Sequence, residues 1–286
     1  MENGCPPEVR ARLATVVGRA VEPERRETRW LAMTDDVVAF AADDDAAWQR
    51  LACEAWLIER WRVAEIPVPR LLLNDALLRV QVREKLHGLT GDAVHGHLPD
   101  VISLLAGTPL SAFGETLAHS YGELAARIRR AATAADARAI GLGETSRRAL
   151  DLDHALACLD ASHASAAAKA AARRLRPWLA AIAPPDAVIH ADLHFHNMCT
   201  APDGTITGVF DLGDAGLDDP AVELMYIDSL GPQFADRALS AYGAIDRDAV
   251  RRAHARTALD HVAYHGPGTP RHAGIVQWAT GVFEAL

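Results

Sequence analysis

Residues 188–214 constrain this chain more than any other stretch. They run Val-Ile-His-Ala-Asp-Leu-His-Phe-His-Asn-Met-Cys-Thr, then Ala-Pro-Asp-Gly, then Thr-Ile-Thr-Gly-Val-Phe-Asp-Leu-Gly-Asp. An apolar pair, Val188 and Ile189, enters a polar loop that holds His190, Asp192, His194 and Asn197. Pro202-Asp203-Gly204 is a turn signal, and the β-prone run after it ends at Asp211. The pattern predicts a hairpin-like unit presenting two carboxylates and a carboxamide on neighbouring loops. Phosphoryl transfer from a nucleotide needs that inventory: a carboxylate near the attacking hydroxyl, and oxygen ligands for Mg²⁺.

With 286 residues the chain is long enough for one large domain or two modest lobes. Half of the residues are hydrophobic and 23% are charged, a globular rather than a disordered balance. No apolar run approaches the ~20 residues of a spanning helix, and the N-terminus lacks the basic head and apolar body of a secretion signal. Cys5, Cys53, Cys158 and Cys199 show neither a pairing pattern nor zinc spacing, which fits reduced thiols and a cytoplasmic location. The net charge of −9 argues against nucleic acid and anionic membranes and favours cationic small molecules.

His190-x-Asp192-x-His194-x-x-Asn197, followed by Gly208-Val209-Phe210-Asp211, resembles the signature of the aminoglycoside phosphotransferase and choline kinase-like family. Asp218-Asp219-Pro220-Ala221-Val222-Glu223-Leu224 is similar to that family's Gly-Asp-Pro-x-x-Asp-Leu segment. The resemblance implies an α+β, protein kinase-like fold, with a small β-rich N-lobe over residues 1–85 and a larger helical C-lobe over 86–286. It also implies a kinase that moves the γ-phosphoryl group of ATP or GTP to a small-molecule hydroxyl. Resemblance and chemistry together assign Asp192 as catalytic base, with Asn197 and Asp211 as ligands for Mg²⁺. By the same resemblance, His190 and His194 hold the shape of the loop, and Glu223, where the family has aspartate, braces its backbone.

The N-terminal part departs from the family. The glycine-rich loop that covers the phosphates would fall at Glu22–Thr28, which contains no glycine. The strand that carries a phosphate-pairing lysine matches Val37-Val38-Ala39-Phe40, and the chain's two lysines, Lys85 and Lys169, lie elsewhere. Either Arg29 substitutes from the adjacent strand, since guanidinium binds phosphate well, or Arg25, Arg26 and Arg29 are solvated charges. Glu54 falls where the family places the glutamate that orients the clamp residue; an ordinary helix-surface glutamate is the other reading. Arg83-Glu84-Lys85-Leu86-His87-Gly88 resembles the hinge between lobes, which adds Lys85 to Arg29 and Glu54 as candidate nucleotide-binding residues.

Periodicity predicts helices over 7–20, 46–63, 109–132, 150–159, 166–182, 221–230, 234–242, 248–265 and 275–286. Hairpins are expected at 28–41 and 71–82, and a loop or lid at 133–148. His261 and His265 are four apart on an expected helix, but no third ligand accompanies them, so no structural zinc is expected. In relatives that phosphorylate kanamycin-like antibiotics, acidic residues and the terminal carboxylate bind the substrate; Phe283-Glu284-Ala285-Leu286 is a similar tail. The expected acceptor is an aminoglycoside-like antibiotic, a sugar or an amino alcohol. A degenerate protein that binds nucleotide or ligand without transfer is the alternative, motivated by the missing lysine and glycines. Oligomeric state is not legible.

Overall fold

The computed structural model describes residues 4–26, 28–100, 103 and 106–286. Its N-terminal part is an antiparallel sheet covered on both faces. Strands β1 (Glu24–Arg26), β2 (Arg29–Met33), β3 (Val37–Ala42), β4 (Leu71–Asp75) and β5 (Val80–Glu84) take the order β1-β2-β3-β5-β4. Helix α1 (Pro7–Val17) packs Val9 and Leu13 against Trp30, Ala32, Ala39, Ala41, Val80 and Val82 on one face. Helix α2 (Asp45–Val63) packs Ala47 and Leu51 against Phe40 and Ala42 on the other. The two-residue period of a strand sends alternate side chains to the two helices.

Helix α2 starts where Asp44 accepts a hydrogen bond from the Ala47 amide at 2.7 Å, satisfying a free first-turn donor. Its end is tied to the C-terminal lobe, because the Arg127 guanidinium donates to the carbonyls of Ala64 and Glu65. Strand β5 extends to Glu84, so Arg83 and Glu84 belong to the sheet and not to the hinge expected at 83–88. The connection itself runs along the C-lobe: Leu89 and Thr200 exchange backbone hydrogen bonds at 2.9 and 2.8 Å. Gly88 permits this approach, since a Cβ there would lie 2.9 Å from the Thr200 carbonyl oxygen.

After the short α3 (Asp92–His95), the C-lobe is built on α4 (Ala112–Ala131). Its stripe of Phe113, Leu117, Tyr121, Leu124 and Ile128 is buried as the periodicity predicts. Residues 133–148 are not a free lid. They form α5 (Ala134–Ala139) and a 3-10 turn, Ser146–Ala149, pinned by Leu217 amide to Gly143 carbonyl at 2.9 Å and Thr145 amide to Leu217 carbonyl at 3.1 Å. Helices α6 (Leu152–Ala161), α7 (Ala166–Arg174) and α8 (Arg176–Ala180) follow; Pro177 splits the single helix expected over 166–182.

Four short strands carry the central stretch. β6 (Ala187–Ile189) pairs with β9 (Gly216–Asp218), and β7 (Met198–Thr200) pairs with β8 (Ile206–Val209) around the Pro202-Asp203-Gly204 turn. Residues 221–230 form 3-10 turns at Pro220–Leu224 and Ile227–Leu230 rather than an α-helix. The chain closes with α9 (Pro232–Tyr242), α10 (Arg247–Tyr264) and α11 (His272–Glu284); α6, α7, α10 and α11 share a second, alanine-rich core. Among the described residues no helix is long and apolar enough to cross a membrane.

Candidate active site

Strand β6 is wholly buried and delivers His190 and Asp192 to the edge of the C-lobe. The turn between them is tight, with Ala191 at φ +64°, and a buried carboxylate holds it. Glu223 Oε2 accepts from the amides of His190 and Ala191 at 2.9 and 3.0 Å. The extra methylene relative to aspartate does not prevent this bracing. Burial pushes the Glu223 carboxyl up to about 8, against the pull of the two amides.

His190 joins the two functional loops. Its Nδ1 accepts from the Asp192 amide at 3.3 Å, which leaves Nε2 to donate to the Phe210 carbonyl at 2.9 Å. Burial lowers its pKa, consistent with a neutral ring in that tautomer. The Phe210 amide donates back to the Asn197 carbonyl at 3.0 Å. Asp192, Asn197 and Asp211 are therefore fixed relative to one another through Phe210.

The Asp192 carboxylate receives four donors. Oδ1 accepts from Tyr226 Oη at 2.9 Å and Arg147 Nη2 at 3.2 Å; Oδ2 accepts from Asn197 Nδ2 at 2.9 Å and His194 Nε2 at 3.2 Å. Burial alone would raise its pKa, but the His194 bond, the Arg147 charge and the Tyr226 bond outweigh it and hold the carboxyl well below the usual range. His194 keeps its proton on Nε2 because Nδ1 accepts from the His196 amide at 3.1 Å.

Asn197 also donates through Nδ2 to the Asp192 carbonyl at 3.0 Å, and its Oδ1 has no hydrogen bond among the described residues. Asp211, at φ +60° and ψ +65°, has a side chain 61% exposed. No group of three or more His, Cys, Asp or Glu side chains at metal-binding spacing occurs among the described residues. An amide oxygen and one carboxylate fit Mg²⁺, which keeps waters and takes phosphate oxygens rather than filling a protein cage.

On the N-lobe side, Arg29 and Arg83 both pair with Glu54. The glutamate and Arg83 are fully buried, while Arg29 reaches outward, its Nη2 3.8 Å from Asp211 Oδ1. Burial would raise the Glu54 pKa, but the two guanidiniums hold it below the ordinary value. The three groups carry a net single positive charge. Phe40, which with Ala39 is one of the two positions where a strand lysine was expected, lies beneath both arginines.

The structure pairs Arg29 with Glu54 and places Arg29 beside Asp211, whereas Lys85 is not brought to this group. Its ammonium donates to the Thr34 carbonyl at 3.1 Å, at the β2–β3 turn. The loop expected at Glu22–Thr28 includes Glu27, which lies outside the described residues; Arg25 pairs with Asp43 at the surface. Sequence reasoning missed Arg83, Arg147 and Tyr226. Only Arg83 left a signal: the alternation Val80-Gln81-Val82-Arg83 puts it on the face of β5 shared with Gln81.

The model of the phosphotransferase enzyme family, APH, matches residues 64–255, about two thirds of the chain. No curated protein sequence matches it. Among solved structures, ADP-bound aminoglycoside phosphotransferase APH(2'')-Ib superposes with a TM-score of 0.62 at 14% identity, over 98% of this chain and 99% of that one. The GDP and kanamycin complex of APH(2'')-IIia gives 0.65 at 17%, over 96% and 95%. Macrolide 2'-phosphotransferase MphH from Brachybacterium faecium, as apoenzyme, gives 0.59 at 19%, over 94% and 97%. These likenesses establish a protein kinase-like fold, and the family match establishes the lineage: the chain belongs to the phosphotransferase enzyme family.

Proposed function

We propose that this phosphotransferase is a small-molecule kinase that moves the γ-phosphoryl group of ATP or GTP to a hydroxyl of an aminoglycoside-like antibiotic, a sugar or an amino alcohol. The observation that carries this reading is the hydrogen-bonded frame of His190, Phe210 and Asn197, which ties Asp192 to Asp211 across two loops.

Asp192 is anionic at neutral pH and too weak a base to deprotonate an alcohol outright. It orients the acceptor hydroxyl for in-line attack and takes the proton late, when the oxygen is already bonding to phosphorus. Asn197 Oδ1 and Asp211 would hold Mg²⁺, which offsets charge on the nucleotide phosphates. Arg29 supplies the fixed cation for the nucleotide that the β3 lysine supplies elsewhere in the family, and Glu54 with Arg83 keeps its guanidinium in place.

The test is nucleotide binding with and without Mg²⁺, followed by transfer to a panel of hydroxyl acceptors. Asp192→Asn should lower kcat by at least about 100-fold while MgATP still binds. Magnesium-independent binding and no transfer to any acceptor would replace the kinase by the degenerate reading.

A further inference from the structure

Four donors already crowd the Asp192 carboxylate, so an acceptor hydroxyl that binds there displaces one of them. Asn197 and His194 shape the loop, and the half-buried Tyr226 hydroxyl has Asp192 as its hydrogen-bond acceptor. Arg147 differs, because its Nη1 keeps a second partner, Asp260 Oδ2, at 2.8 Å. Its buried Nε has no hydrogen-bond partner among the described residues. Releasing Asp192 would therefore leave the guanidinium still paired and with donors to offer.

The position of Arg147 is built into the fold. Its neighbours Thr145 and Arg148 bind Asp218 on β9, the latter at 2.8 Å, and β9 pairs with the strand that delivers Asp192. Of the nearby carboxylates, Asp218 pairs with Arg148 and Asp228 Oδ1 with Arg247 at 2.7 Å, while Asp228 Oδ2 has no hydrogen bond among the described residues and Asp214 adds its charge to the field at Arg147. Glu284, the acidic residue of the C-terminal tail, accepts from Ser165 Oγ. The adjoining His261 is held neutral, its pKa lowered to about 4 by burial and by Arg147.

We propose that Arg147 sets the charge class of the acceptor: it fills the anionic subsite between Asp192 and Asp260, so the hydroxyl presented to Asp192 comes from a part of the acceptor bearing no ammonium group. When that hydroxyl binds, an acceptor oxygen replaces Asp192 as the partner of Nη2. Neutral or anionic polyhydroxyl compounds satisfy this arrangement, whereas a polycation meets a guanidinium where it needs a carboxylate. The inference rests on the kinase reading for the role of Asp192, and narrows its acceptors.

Kanamycin is a suitable probe, titrated calorimetrically into the full chain. Arg147→Gln should bind it at least 10-fold more tightly than wild type, about 1.4 kcal/mol, because two carboxylates are unmasked. Adding Asp260→Asn to that variant should remove most of the gain, and Arg147→Lys should behave as wild type. Equal affinities in wild type and Arg147→Gln, or a gain that survives Asp260→Asn, overturn the proposal. With MgATP, wild type should turn over glucose or glucuronate at least 10-fold faster than glucosamine; the reverse order also overturns it. A chain that gains kanamycin affinity on Arg147→Gln but binds no MgATP would instead sink the kinase reading and leave the charge selection standing.

Discussion

The guanidinium of Arg83 lies 4.5 Å from the centre of the Phe40 ring, on the face of the sheet that packs against α2. Arg29 approaches the same ring at 4.8 Å from the neighbouring strand. Phe40, one of the two positions where a strand lysine was expected, is thus aromatic, and the cations come from the strands on either side of it. The helix glutamate Glu54 anchors both cations, and Arg29 extends from it toward Asp211.

Arg29 should therefore matter to nucleotide binding more than its neighbours do. Arg29→Ala is expected to raise the nucleotide KM at least about 10-fold, the scale of one charge-assisted hydrogen bond. Arg25→Ala, which removes a surface pair with Asp43, should change it less than about threefold. Steady-state kinetics at fixed acceptor decide the matter; small and equal effects would leave Arg29 as an ordinary structural arginine.

For Arg83 the expected effect is on stability. It and Glu54 are both about 96% buried, with relative side-chain exposures of 4%, so Arg83→Met leaves a buried carboxylate with one partner instead of two. A loss of about 3 kcal/mol is expected, or roughly 6–10 °C in Tm. Pairing it with Glu54→Gln should recover much of that, because the cost is the uncompensated charge. An unchanged Tm in Arg83→Met would mean that Arg29 alone neutralises Glu54.

Glu223 gives the stability a pH dependence whose sign is fixed. Its folded pKa, about 8, lies above the ordinary 4.5, burial being the main cause. Its contribution is complete below pH 4.5 and is lost as pH rises through 8, where the buried acid must ionise. Glu223→Gln keeps a carbonyl oxygen for the His190 and Ala191 amides but cannot ionise. The Tm of wild type minus that of Glu223→Gln should fall steadily from pH 4.5 to 8.5, and parallel curves across that window would show that the carboxyl is not held protonated.

The central loops were legible because their chemistry is local. Asp192, Asn197, Asp211 and Glu223 fall within 32 consecutive residues, and each needs its own residue type at a fixed spacing. What escaped was the pairing that depends on distant register. Arg83 meets Glu54 only because β5 continues past Val82 alongside β3, with Val38 opposite Arg83. Arg147 meets Asp192 only because residues 143–145 are strapped to β9, and a polar, glycine-bearing segment carries no mark of its anchorage. The 3-10 turns at 220–230 were likewise hidden, since Glu223 is drawn inward to the catalytic loop and the apolar spacing alone imitates an α-helix.

Asp211 permits a substitution that separates its charge from its backbone. The residue sits in the left-handed region, with φ +60°, which asparagine tolerates far better than most side chains. Asp211→Asn should keep the loop and the Phe210 bonds to His190 and Asn197 while removing the anionic ligand. The expected outcome is a rise of at least about 10-fold in the Mg²⁺ concentration for half-maximal transfer, the scale set by losing one charged ligand contact, with partial rescue at high Mg²⁺. Asp211→Val would confound this, because a β-branched side chain at positive φ strains the turn whatever its charge. If Asp211→Asn titrates with Mg²⁺ as wild type does, the divalent cation is held elsewhere and Asp211 serves chiefly to pair with Arg29.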